Sequence, residues 1–187
     1  MKLGRGRRGP LVVAVAVVVT AALVVGLYLF QPWKLWQDET VSEALPAALP
    51  AAPSASPSGT VSAAPAPPAV PQTLTQGSFI SHEHDTTGTA KVVRLADGSH
   101  VLRLEGLDTS NGPDLRVWLT DAPVKEGVAG WRVFDDGKYV SLGKLKGNKG
   151  DQNYEIPADV NLADYSSVAI WCDRFDVSFG AAELAKA

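Results

Sequence analysis

The hydrophobic pattern of the chain changes character twice. Leu11–Phe30 is a run of twenty residues without a charge. As a helix, such a run matches the roughly 30 Å hydrocarbon core of a bilayer. This predicts a transmembrane anchor over 11–30, with Trp33 and Trp36 at the height of an aromatic belt. From Leu45 to Gln72 the periodicity vanishes into Ala, Pro and Ser. Without bulky apolar residues to offset ordering entropy, this stretch reads as disordered and extended, within an Ala/Pro/Ser-rich linker over 31–75. It reads either as a stalk, several tens of Å long in polyproline geometry, or as a passive linker of no specific length.

Beyond about Gln76 the pattern is that of β-structure, with turns between short strands. Ser78–His84 is a first strand. Thr89–Ala96 and Ser99–Gly106 flank Asp97-Gly98, a hairpin signal. Leu115–Thr120 alternates Leu115, Val117 and Leu119 against Arg116, Trp118 and Thr120. An irregular stretch, 121–138, carries Trp131, Val133 and Phe134 as a packing anchor. Tyr139–Leu145 and Gln152–Ile156 add two strands, and 159–165 is a loop or short helical turn. Ser167–Cys172 is apolar on both faces, as a strand covered on both sides must be. Continued without a break, it would bury Asp173 beside Trp171, so a bulge or tight turn is expected at Asp173-Arg174. The fold class expected is all-β, an antiparallel sandwich or small barrel over 76–187.

Charge changes the picture at the N-terminus. Lys2, Arg5, Arg7 and Arg8 precede the apolar run, which predicts a cytoplasmic segment 1–10, a retained cell-membrane anchor and an extracytoplasmic C-terminal domain. A cleaved signal peptide is the rival, but its apolar region is shorter and ends in small residues. The chain has a net charge of −3, and its negative balance falls after residue 75 without basic clusters, which argues against nucleic acid as a partner. One cysteine excludes an intrachain disulfide.

Candidate chemistry is sparse, and no catalytic constellation is recognisable. Cys172 reads either as a redox thiol or prosthetic-group ligand, or as a small apolar core residue. An unpaired cysteine is unusual in an exported domain, and Arg174 beside it would lower the thiol pKa. His82 and His84, two apart on a strand, would share one face and form half of a metal site, with Asp85 close by and His100 a conceivable third ligand. The alternative is a solvated strand end. Haem held by Cys172 and a histidine has no CxxCH motif to support it. Lys144, Lys146 and Lys149 form a local basic patch around a Gly-rich turn.

The order of blocks is more specific than any one residue. Gly77-Ser78-Phe79, His84 with Gly88, Asn111–Leu115, the stretch from Leu142 to Pro157, Tyr165–Cys172 and Phe179–Leu184 follow one another as in the DM-thirteen domain. The chain resembles that family over Gly77–Leu184. The resemblance implies an electron-transfer domain of the kind found beside DOMON and cytochrome b modules. It puts the family's cysteine on Cys172, flanked by Trp171 and Phe175, and its early histidine on His84. Its glycines and tyrosine fall on Gly143, Gly147, Gly150 and Tyr154. The expectation is a membrane-anchored domain doing electron transfer or thiol redox through Cys172, with an unidentified partner at the envelope. The alternative is a binding or structural module with Cys172 in its core.

Overall fold

The computed structural model describes residues 8–47 and 70–187. It contains one long helix, α1 (Arg8–Phe30), and a 3-10 turn at Pro32–Trp36. Ten strands follow: β1 (Thr40–Ser42), β2 (Gln72–Ser81), β3 (Thr87–Arg94), β4 (His100–Asp108), β5 (Leu115–Thr120), β6 (Tyr139–Lys144), β7 (Lys149–Ile156), β8 (Ser167–Cys172), β9 (Val177–Glu183) and β10 (Ala185–Lys186). α1 is apolar and long enough to cross a bilayer, and its apolar side chains are largely exposed.

The strands form one sheet in the order β1-β7-β4-β3-β2-β9-β8-β5-β6, with β10 paired to β2. Every pairing is antiparallel except β1 with β7. The sheet curls into a half-barrel, because its two halves bury one common face. Val92, Leu102, Leu104 and Tyr154 from one half meet Val117, Val168, Ile170 and Phe179 from the other. β2 is the strand where the halves join, pairing β3 along its first part and β9 at Phe79–Ser81. Gly77 makes that crossing feasible: a Cβ there would sit 1.8 Å from the Glu183 carbonyl oxygen.

β8 is buried along its whole length, as its two apolar faces require. Val168, Ile170 and Cys172 face the barrel interior. Ala169 and Trp171 face outward, where Phe134 and Ala122 from the irregular segment cover them together with Trp118. Trp131, expected beside Phe134, packs against the interior cluster instead.

Part of the region expected as linker, 31–75, packs against the sheet. Residues 48–69 of it lie outside the described residues, but 38–47 are laid along β7. Glu39 exchanges backbone contacts with the Asn148 side chain (2.7 Å) and the Lys149 N–H (3.2 Å). Glu43 accepts from Lys146 Nζ (2.7 Å) and from the Asn153 N–H (2.7 Å), while its carbonyl accepts from Arg103 Nη1 (3.0 Å). Leu45 covers Val93, Leu95 and Val101 on the outer face of β3 and β4. The Ala47 carbonyl accepts from the Ala96 N–H, and Gln72 pairs with Arg94. The chain therefore leaves and rejoins the same sheet on either side of 48–69. With β1 docked, the short stretch 31–37 joins α1 to the sheet.

Candidate site at Cys172 and the end of the apolar helix

Cys172 is the last residue of β8, and Val177 opposite it is the first of β9. Asp173–Asp176 form the turn between them, which meets the expectation of a break at Asp173-Arg174. Asp176 takes φ of 49°, a left-handed conformation. The turn is tied down from three sides. The Phe175 N–H donates to the Cys172 carbonyl (3.2 Å) and the Asp173 N–H to the Asp114 carbonyl (3.0 Å). Arg132 Nη1 donates to the carbonyls of Phe175 (3.0 Å) and Asp176 (3.1 Å). Asp173 is ion-paired with Arg116, so the charge that the sequence could not accommodate has a partner.

The thiol itself has no exposed surface. Burial pushes its pKa up, while backbone N–H groups of Arg174, Phe175 and Asp114 work the other way and the Glu83 carboxylate adds to the rise. Arg174 thus acts through its backbone amide, and not through the side-chain charge anticipated from sequence. Trp171 projects to the opposite face of the sheet and is not part of the thiol's surroundings.

The two histidines part company. β2 ends at Ser81, so the two-residue alternation that would align their rings stops before His82. His82 is buried outside the barrel. Its Nδ1 lies 2.9 Å from Ser178 Oγ, its Nε2 lies 3.1 Å from the Lys125 carbonyl oxygen, and its ring stacks on Phe134. Burial lowers its pKa, partly offset by the Lys125 carbonyl. His84 turns the other way and lies on Phe179, with ring centroids 3.9 Å apart. His100 is on β4, and β3 separates it from β2. Among the described residues no three of His, Cys, Asp and Glu come together as metal ligands. With Cys172 closed into packed apolar side chains, the residues present do not fit a haem or metal bound through its sulfur. The lysine patch is also answered by acids: Lys144 by Asp114, Lys146 by Glu43, and Lys149 by Asp38 and Asp108.

A cavity of about 300 Å³ lies above this region, between the end of α1 and the sheet. Phe30 stacks on Phe175 (5.6 Å), and the His84–Phe179 pair forms the facing side. The Asn111–Pro113 turn closes one end. It rests on Phe179 so closely that a Cβ on Gly112 would meet its ring at 3.0 Å. Lys34 Nζ reaches the Gly112 carbonyl (3.4 Å), and Asn111 Nδ2 donates to the Gln37 carbonyl (3.2 Å). By sequence Phe30 falls in the expected anchor and Pro32 and Lys34 in the expected linker. The walls are contributed from positions far apart in the chain, and no local pattern joins them.

A family model described as electron transfer DM13 matches residues 78–184. The matched span begins within β2 and ends just after β9, so α1, the 31–47 segment and β1 lie outside it. No curated protein and no solved structure matches the chain.

Proposed function

The chain belongs to the electron transfer DM13 family, and on that premise we propose that it is a redox domain tethered at the outer face of a membrane, with Cys172 as its redox group. The observation that carries this reading is the position of the only cysteine. It ends the most buried strand, directly before a turn whose amides oppose the rise in its pKa. A sulfur gaining negative charge needs such donors, whereas an inert core thiol does not. The packing keeps the resting thiol protonated and out of contact with solvent, so exchange requires the 173–176 turn to swing aside. In exchange with a partner's disulfide, the Cys172 thiolate forms a new S–S bond. The partner's second sulfur leaves as thiolate, and the Cys172 proton goes to solvent.

The tether is read from α1, whose length fits the bilayer, and from the basic residues before it, which favour an N-terminus in the cytoplasm. The partner is an unidentified redox protein or small molecule of the envelope. One observation favours a second reading, a binding or structural module: zero exposure of Cys172, as in a residue that only fills space.

Thiol labelling of the folded chain over a range of mild denaturant separates the two. Under the redox reading, labelling proceeds by a local opening whose rate is independent of denaturant at low concentration. Labelling that follows global unfolding at every concentration supports the structural reading.

A further inference from the structure

The cavity between α1 and the sheet has a composition that neither the turn nor the thiol explains. We propose that it is a binding site for a quinone-type ring carried in the membrane. The proposal rests on the membrane-tethered redox reading above and names the class of small molecule that would meet the domain there.

Size comes first. At about 300 Å³ the space is at the lower limit of ligand pockets, which suits one substituted ring and excludes a macrocycle. Shape agrees with size. Two aromatic pairs, Phe30 on Phe175 and His84 on Phe179, offer ring faces between which a flat ring stacks. Polar groups stand at the margins and differ in kind. His84 and Glu83 form one pair, with Nε2 and Oε2 4.0 Å apart. Lys34 and Asn111 supply N–H donors near the Gly112 end. A ring with oxygens at opposite ends satisfies both: a hydroxyl donates to Glu83 or His84, and a carbonyl accepts from Lys34 or Asn111.

The alternatives match less well. An anionic headgroup would find a single lysine, with the Glu83 carboxylate lining the same cavity. A bare hydrocarbon chain would use the aromatic faces but none of the polar groups. The source of the ligand follows from the wall: Phe30 is the final residue of the apolar helix, so the cavity opens where that helix would leave the lipid. Phe175, part of the same wall, is hydrogen-bonded to Cys172 (3.2 Å), which brings a bound ring close to the buried thiol.

The test is a fluorescence titration of the full chain in lipid nanodiscs. The probe is a benzoquinone with a short alkyl tail, and the control is the tail-matched alkylbenzene. Quenching of tryptophan emission, with Trp33 next in the chain to the lining residues Pro32 and Lys34, should saturate with the quinone and not with the alkylbenzene. Phe30→Ala and His84→Ala should each weaken binding roughly three- to tenfold, the range of an aromatic pair's contribution. Phe30 is exposed and His84 covers the core only from its margin, so both variants should fold, which a native circular dichroism spectrum checks. Cys172→Ser should leave the affinity unchanged, which keeps the fate of this site separate from that of the thiol. Quenching that rises without saturation, as from a ring dissolved in lipid, overturns the proposal. So does an affinity unchanged from the unsubstituted chain in both cavity variants, or equal saturation by the alkylbenzene. If the chain does not stay with the nanodiscs the tether fails, and the same titration of the soluble chain still decides the cavity.

Discussion

At the scale of single residues, Cys172 is governed by the competition between apolar packing and the amides of its turn. The folded state favours the protonated thiol, so Cys172 contributes stability below the thiol's ordinary pKa of about 8.5. That stability is lost as pH rises toward the higher folded value. Cys172→Ser should cost about 1–3 kcal/mol by putting a hydroxyl in an apolar site, measurable by urea denaturation. Arg132 should act as a clamp, because one guanidinium holds two carbonyls of the 173–176 turn. Arg132→Ala should accelerate labelling of Cys172 severalfold with a smaller effect on global stability. Equal effects on both would mean that the turn does not open by itself. His82 has the opposite pH signature. Its folded pKa is lowered by burial, so stability is full above the ordinary histidine value near 6.5 and declines as pH falls below it. His82→Gln should flatten that decline in acid melts while keeping a side chain able to bond Ser178 or the Lys125 carbonyl.

At the scale of elements, the short strand β1 is the least expected part of the fold. Its seat on β7 is built from glycines. A Cβ on Gly147 would lie 2.4 Å from the Glu39 carbonyl oxygen, and one on Gly150 would lie 2.0 Å from that of Val41, with φ there at +95°. Gly150→Ala should therefore displace β1 as well as strain the backbone. It should lower the denaturation midpoint of the full chain more than that of a chain beginning at Val70, which has no β1 to displace. Removing 38–47 should itself cost about 2–4 kcal/mol, from several hydrogen bonds at about 1 kcal/mol each. The sequence revealed β8 and β5 to the residue, because an unbroken apolar run and a clean alternation each have one reading as a strand. It did not reveal β1, since three residues beside an Ala/Pro stretch carry no period. Arg103 on β4 is likewise tied to this segment: it is buried, bonded to Glu43, Asp151 and Asn153. The shared face expected of His82 and His84 failed because it assumed a strand running three residues past Ser81. What covers an outer face, or which loop meets a helix end, is decided by long-range contacts that local periodicity does not encode.

At the scale of the whole molecule, a curled sheet, a strap and an apolar helix fix the domain against the end of that helix. Ala47 and Gln72, on either side of the Ala/Pro segment, both bond next to β3, so shortening the segment should not change how far the domain stands from the membrane. Energy transfer from a dye on the domain to one in the lipid should give the same distance before and after deleting half of 48–69, whereas a stalk would shorten with it. In this arrangement the buried thiol, its turn and the cavity all lie near the helix end, where a membrane-borne partner would arrive. The central claim is that Cys172 changes oxidation state within the folded, tethered domain. Its most direct test is equilibration of the full chain in nanodiscs with glutathione buffers of graded potential, reading the mass of the Cys172 peptide and the fold together. The account predicts a single reversible transition at Cys172, with a native circular dichroism spectrum throughout and faster hydrogen exchange in 173–176 on the oxidised side. A Cys172 that stays reduced at every potential while the domain is folded, and is modified only when the sheet unfolds, would contradict it.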